Sequence, residues 1–122
     1  MEELSTSVNE ILSLGISGIP FTGADIPGFF GRPTDELFIL FYQLGVFYPF
    51  MRAHGHIEFY DREPYLQSDE VQKAIKESIN LRYDLIHYIY TLAYQTSQWG
   101  TPLVRPMWLE FPKNQEVFNL TT

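Results

Sequence analysis

Cysteine is absent from this chain, which excludes disulfides and any thiolate metal site. It leaves the compartment open, because reducing and oxidising surroundings both tolerate a cysteine-free protein. Positive charge is scarce as well. The 8 Lys and Arg stand against 15 Asp and Glu, for a formal charge of −7, and the cations are too dispersed to line a phosphate backbone. Nucleic acid is therefore not expected as a partner. Long apolar runs are missing: no stretch approaches the roughly 18 residues that span a bilayer, and Met1-Glu2-Glu3 is acidic where a signal peptide is basic. Neither a membrane span nor a secretory signal is expected, and there is no internal repeat or low-complexity tract.

What the 122 residues do carry is aromatic surface. They are 45% hydrophobic and 16% aromatic, with 10 Phe and 8 Tyr, so a large aromatic core is expected. Leu4, Val8, Ile11 and Leu12 fall at helical spacing and predict a short helix from about Ser5 to Leu14, stopped by Gly15. Ile16 to Thr22 mixes β-branched and aromatic residues between glycines and predicts a short buried strand, with Asp25 just beyond its carboxyl end. Thr34 can cap a helix running to about Leu44, where Asp35 and Glu36 oppose the positive end of the dipole. Pro49 cannot donate to a central ladder, so the next strand is confined to a few residues near Phe50. Ser68-Asp69-Glu70 opens a long helix, carried by Val71, Ile75, Ile79, Arg82, Ile86, Ile89 and Ala93 as far as Gly100, and its length predicts a bend. Pro102, Pro106 and Pro112 leave residues 101–122 as short edge strands or an interdomain connection.

Helix, strand, helix, strand, helix is an α/β alternation that predicts parallel strands joined by right-handed crossovers. Two parallel strands cannot cover their own edges. Either the sheet closes with other segments or the sequence is a piece of something larger.

Two clusters hold most of the polar chemistry: Gly23-Ala24-Asp25-Ile26-Pro27-Gly28-Phe29-Phe30 and Met51-Arg52-Ala53-His54-Gly55-His56. A carboxylate at the end of one apolar run and an Arg/His group at the end of another is how a barrel brings polar side chains to one rim. If the second segment is extended, Arg52, His54 and His56 share a face. Taken singly, each residue has a plainer role. An Asp after Gly-Ala is commonly a turn or capping residue. His54 and His56 with one nearby acid and no cysteine are an incomplete zinc set, and His56 is expected to be structural. Asp61, Glu63, Asp69 and Glu70 fit a solvated loop and a helix start, while Phe38, Phe41, Tyr42, Tyr88, Tyr90 and Tyr94 at helical spacing fit packing.

The block Ile19-Pro20-Phe21-Thr22-Gly23-Ala24-Asp25-Ile26-Pro27-Gly28-Phe29 is followed in order by Tyr42-Gln43-Leu44-Gly45, Tyr48-Pro49-Phe50 and Arg52-Ala53-His54. Then come Arg62-Glu63-Pro64-Tyr65, Leu81-Arg82-Tyr83 and Pro102-Leu103-Val104-Arg105-Pro106. In order and spacing these blocks closely resemble glycoside hydrolase family 31, from about Ser5 to Asn119. The Arg52–His56 and Arg62–Tyr65 blocks most resemble the glucosidase II α-subunit branch of that family.

The resemblance implies the last quarter of a (β/α)8 TIM barrel over residues 1–100: the sixth helix, the seventh strand and helix, and the eighth strand and helix. Residues 101–122 would connect to a following β-sandwich domain. It also implies part of a retaining α-glucosidase that hydrolyses terminal α-linked glucose from oligosaccharides or N-glycans, without a metal or cofactor. Further implications are a glucosidase II β-subunit as partner and the endoplasmic reticulum lumen as compartment. Nucleophile and acid/base precede this segment in the family, so the chain alone is expected to be inactive. By position in the motifs, Asp25 resembles a residue at the floor of the terminal-glucose site, Phe29 one on its wall, and His54 one that hydrogen-bonds the sugar hydroxyls. Arg52 resembles a residue supporting that site. Pro27 replaces a small residue of the family and should stiffen the loop before Gly28, and His87 replaces a Pro and should reduce a kink. Asn119-Leu120-Thr121 is a glycosylation sequon of little weight. The competing expectation is a truncated or degenerate, non-catalytic protein that binds sugar or a partner.

Overall fold

The computed structural model describes residues 2–120. Its elements are α1 (Glu2–Ile16), β1 (Asp25–Ile26), α2 (Asp35–Gly45), β2 (Arg52–Ala53), α3 (Asp69–Trp99) and α4 (Met107–Glu110), with 3-10 turns at Pro64–Leu66 and Gln115–Asn119. β1 and β2 pair in parallel, Asp25 opposite Arg52 and Ile26 opposite Ala53, with α2 as the crossover between them. The expected α/β alternation and the parallel pairing are both present. No helix among the described residues is long and apolar enough to cross a membrane.

The two later helices begin where their caps predict. Thr34 Oγ1 accepts from Leu37 N–H at 3.2 Å, which satisfies one of the free donors of the first turn of α2. Ser68 stands at the N-cap position of α3, yet its hydroxyl donates to Asp35 Oδ2 at 2.9 Å instead, joining the starts of α2 and α3. Gly100 ends α3 in the left-handed conformation, φ 69°, and donates to Thr96 O, a closure that a side chain would disfavour.

The first expected strand does not form over residues 16–22. α1 continues through Gly15 to Ile16, and the stop is Gly18, φ 90°, with Gly18 and Ile19 N–H donating to Gly15 and Leu14 carbonyls. Gly15 serves packing instead: a Cβ there would lie 3.3 Å from Val104 O and 3.4 Å from Pro102 Cβ. The strand lies further on, at Asp25–Ile26, because pairing is decided by the partner segment. Phe50 N–H donates to Thr22 O at 3.0 Å, and His54 N–H donates to Ile26 O at 3.1 Å.

The core gathers Ile11 of α1, Ile26 of β1, Phe38, Phe41 and Tyr42 of α2, Tyr48, and Val71 and Ile75 of α3. Ile26 is wholly buried, a burial worth about 1.5–3 kcal/mol, and α2 packs on both β1 and α3. Two polar ties complete it. Ser7 Oγ and Tyr48 Oη lie 2.6 Å apart and buried, linking α1 to the segment before β2. Arg82 of α3 donates to the carbonyls of Val46, Tyr48 and Pro49 at 2.6, 2.7 and 3.2 Å, taking up acceptors just past the end of α2.

Phe38, Phe41 and Tyr42 pack as expected, but Tyr88, Tyr90 and Tyr94 are mostly exposed. Their half of α3 is covered on one side only: Leu92, Ala93 and Thr96 are half-buried, while Leu81, Tyr83, Ile86 and Trp99 are exposed too. Residues 101–122 form no strand among the described residues. The prolines remove ladder donors; Leu103 is buried, and its neighbours Pro102 and Val104 lie against Gly15 near the end of α1. The sequon ends at Thr121, outside the described residues.

The 122 residues alone are expected to melt without a cooperative transition, since so much apolar surface stays wet. A sharp two-state melt would contradict this. Within a longer protein that carries them, Gly23→Ala is expected to cost at least about 2 kcal/mol, read as a lowered Tm. The added Cβ would overlap the Phe50 carbonyl oxygen, a backbone atom with no rotamer to move to.

Candidate functional site

The two polar clusters meet because their backbones run side by side. Beyond the Asp25–Arg52 pairing, His54 N–H donates to Ile26 O and His56 N–H donates to Phe29 O at 2.9 Å. Between them the chain turns at Asp25-Ile26-Pro27-Gly28, closed by Gly28 N–H to Asp25 O at 2.6 Å, with the Ile26–Pro27 peptide cis. This turn carries the chain from Asp25 to Phe29 on the same side of the pairing.

Asp25 is held by Arg52. Arg52 Nε and Nη2 both donate to Oδ1, at 3.1 and 2.5 Å, and Oδ2 takes no hydrogen bond among the described residues. The Arg52 guanidinium also lies 5.4 Å above the Phe50 ring. Its side chain is 48% exposed against 22% for Asp25, so water screens the pair and its contribution to stability is at most about 1 kcal/mol. Orientation of the carboxylate is the larger effect: one oxygen is fixed and the other is available to accept.

Asp25, Phe29 and Arg52 line one cavity of about 650 Å³, together with Gly23, Ala24 and Gly28. The opposite wall comes from α1, through Glu3, Thr6, Ser7 and Glu10. His54 does not line that cavity. Its ring lies 5.5 Å from Phe29, tilted by 32°, and faces a smaller cavity of about 280 Å³ lined also by His56, Phe59, Asp61 and Glu63. Phe29 thus touches the imidazole and lines the cavity that holds the carboxylate. His56 stacks on Phe30 at 5.8 Å and meets Phe29 and Phe59 edge-on. Its Nδ1 accepts from Glu58 N–H at 3.3 Å, so that nitrogen is engaged by backbone. Among the described residues no three His, Cys, Asp or Glu gather closely enough to hold a metal ion.

The sequence pattern that describes the glycosyl hydrolases family 31 TIM-barrel domain matches residues 1–92. The chain belongs to glycoside hydrolase family 31. Over 118 residues it is 44% identical to the family's probable glucan 1,3-alpha-glucosidase of Oryza sativa subsp. japonica, covering 97% of this chain and 13% of that protein. It superposes on the crystal structure of the glucosidase II alpha subunit bound to Glc1Man2 with a TM-score of 0.93 and 40% identity, over 98% of this chain and 13% of that one. It superposes equally on the catalytic subunit in the ER glucosidase II heterodimer, which contains the binding domain of the regulatory subunit, with TM-score 0.92, 40% identity, and the same 98% and 13%. The chain therefore spans about 13% of the length of each of these three relatives.

Sequence reasoning missed two contributions to this candidate site. Glu3, Ser7 and Glu10 recur at i, i+4 and i+7, spacing that puts them on one face of α1, and a polar stripe was the available signal. Arg62 was visible only as part of a motif; its contacts across the fold are not local. Arg52→Met is expected to shift stability by no more than about 1 kcal/mol, measured as Tm within the longer protein. A larger fall would mean that the pair holds the fold together and does not mainly aim Asp25.

Proposed function

We propose that the chain is the carboxy-terminal part of the catalytic barrel of a retaining α-glucosidase, contributing the residues that grip the terminal glucose. Residues 1–100 supply the barrel segments from the sixth helix to the eighth, and residues 101–122 lead into a β-sandwich domain. The observation that carries the reading is Asp25 beside Phe29: a carboxylate with one oxygen fixed by Arg52 and one open, next to an aromatic ring. A carboxylate accepts from sugar hydroxyls, and a ring covers the apolar face of a pyranose. His54, in ring contact with Phe29, donates to or accepts from a further hydroxyl. Contacts that strengthen as the sugar ring flattens raise the rate as well as the affinity.

The chemistry itself belongs to two carboxylates outside this chain, about 5–5.5 Å apart in retaining enzymes, one attacking the anomeric carbon and one protonating the leaving group. No cofactor enters. The substrate class is an oligosaccharide or N-glycan ending in α-linked glucose. The proposed setting is the endoplasmic reticulum lumen, with a glucosidase II β-subunit as partner. The likeness to the glucosidase II alpha subunit supports these last two assignments.

In the full-length protein, His54→Ala is expected to lower kcat/KM for an aryl α-glucoside at least about tenfold, equivalent to about 1.4 kcal/mol. Unchanged kinetics would remove His54 from the site, and a wild-type protein without hydrolysis would favour the non-catalytic sugar-binding reading.

A further inference from the structure

Arg62 is a buried cation whose partners are all backbone. It is 4% exposed. Nη2 donates to Gly31 O at 2.8 Å and Nη1 to Tyr60 O at 3.0 Å, while Nε is buried with no acceptor among the described residues. No carboxylate forms an ion pair with it among those residues, and burial pushes its pKa down. Burying a cation is costly, and here only the two backbone hydrogen bonds offset that cost.

What those hydrogen bonds fix lies on both halves of the site. Gly31 ends the run that presents Phe29 and Phe30. Gly55 sits between the two histidines, and a Cβ built on it would come within 2.8 Å of Arg62 Nε and 3.2 Å of its Cγ. The Arg62 side chain therefore occupies the space that Gly55 leaves open, against the 54–56 backbone. A second contact runs parallel: the Arg32 guanidinium lies 4.5 Å above the Tyr60 ring, joining the same two loops from the surface. On these loops the Phe29 ring meets the His54 ring at 5.5 Å and the His56 ring at 5.7 Å.

We infer that Arg62 is a positioning residue: by clamping the Gly31 end of one loop under the Gly55 bend of the other, it sets the His54 ring against Phe29. The inference rests on the α-glucosidase reading for its kinetic consequence, and on geometry alone for its structural one. Arg62→Met keeps an unbranched apolar stem in the same space while removing the donors to Gly31 O and Tyr60 O, so with Tm read alongside kcat/KM it separates positioning from mere packing.

The test is a double-mutant cycle in the full-length protein, with kcat/KM for an aryl α-glucoside and Tm as readouts. Arg62→Met is expected to lower kcat/KM about tenfold, and in a His54→Ala background to cost less than about twofold, because the group it positions is already gone. Arg62→Lys, which keeps the charge and can reach one carbonyl, should recover part of the loss. Equal losses with and without His54 would overturn the inference. If Arg62→Met does not fold, Gly55→Ala replaces it in the cycle, since the backbone at Gly55 is not left-handed and the added methyl presses on Arg62. Crystal structures of the same variants give a readout independent of activity: the His54 ring should leave its 5.5 Å contact with Phe29. An unmoved ring overturns the clamp even in an active enzyme, whereas an inactive wild type with a displaced variant ring would sink only the α-glucosidase reading.

Discussion

Between residues 22–29 and residues 50–56, the N–H groups of Phe50, His54 and His56 donate to the carbonyls of Thr22, Ile26 and Phe29. These bonds and the two-residue parallel ladder they flank decide where each side chain of the site can be. Asp25 meets Arg52 because they are ladder partners; Phe29 meets His54 and His56 past the turn, where the pairing shifts by one residue so that His56 N–H reaches Phe29 O and not Gly28 O. The close approach depends on Gly23, where the Phe50 carbonyl occupies the place of a side chain.

So short a ladder contributes little stability by itself. Its position is enforced from behind, where Ile26 is buried against α2 and Arg82 of α3 gathers the carbonyls that follow α2. Burial of Ile26 is worth more than the screened Asp25–Arg52 pair, so the apolar side of the fold places the polar side. The ion pair then needs only to aim one carboxylate. This division leaves the site half open to solvent while its backbone stays fixed.

Helices whose start and stop signals are local were legible in the sequence. Thr34 and Ser68 marked the beginnings of α2 and α3, and Gly100 marked the end of α3. The first strand was misplaced because its identity comes from a partner 27 residues away: Asp25, read as a loop residue, is strand only because Arg52 lies beside it. Gly15 and Gly18 look alike as letters, and only the contact with Val104 and the left-handed backbone tell the packing glycine from the stop. Asp25, Phe29 and Arg52 line one cavity and His54 lines its neighbour, a placement that spacing alone could not give. Tyr88, Tyr90 and Tyr94 have the periodicity of packed residues, and their exposure reflects what this stretch of chain lacks to cover them.

Gly23 and Gly45 differ in what surrounds them. A methyl at Gly45 would meet the terminal carbon of Ile26, so trimming Ile26 to a smaller residue makes room, and the two positions can change together over evolution. At Gly23 the obstacle is the main chain of Phe50, which every amino acid possesses. No substitution at position 50 removes it. Second-site suppressors of a Gly45 mutation therefore have an obvious address, whereas a Gly23 mutation offers none at its point of contact. Lineages that keep this pairing of segments are bound to a single letter there.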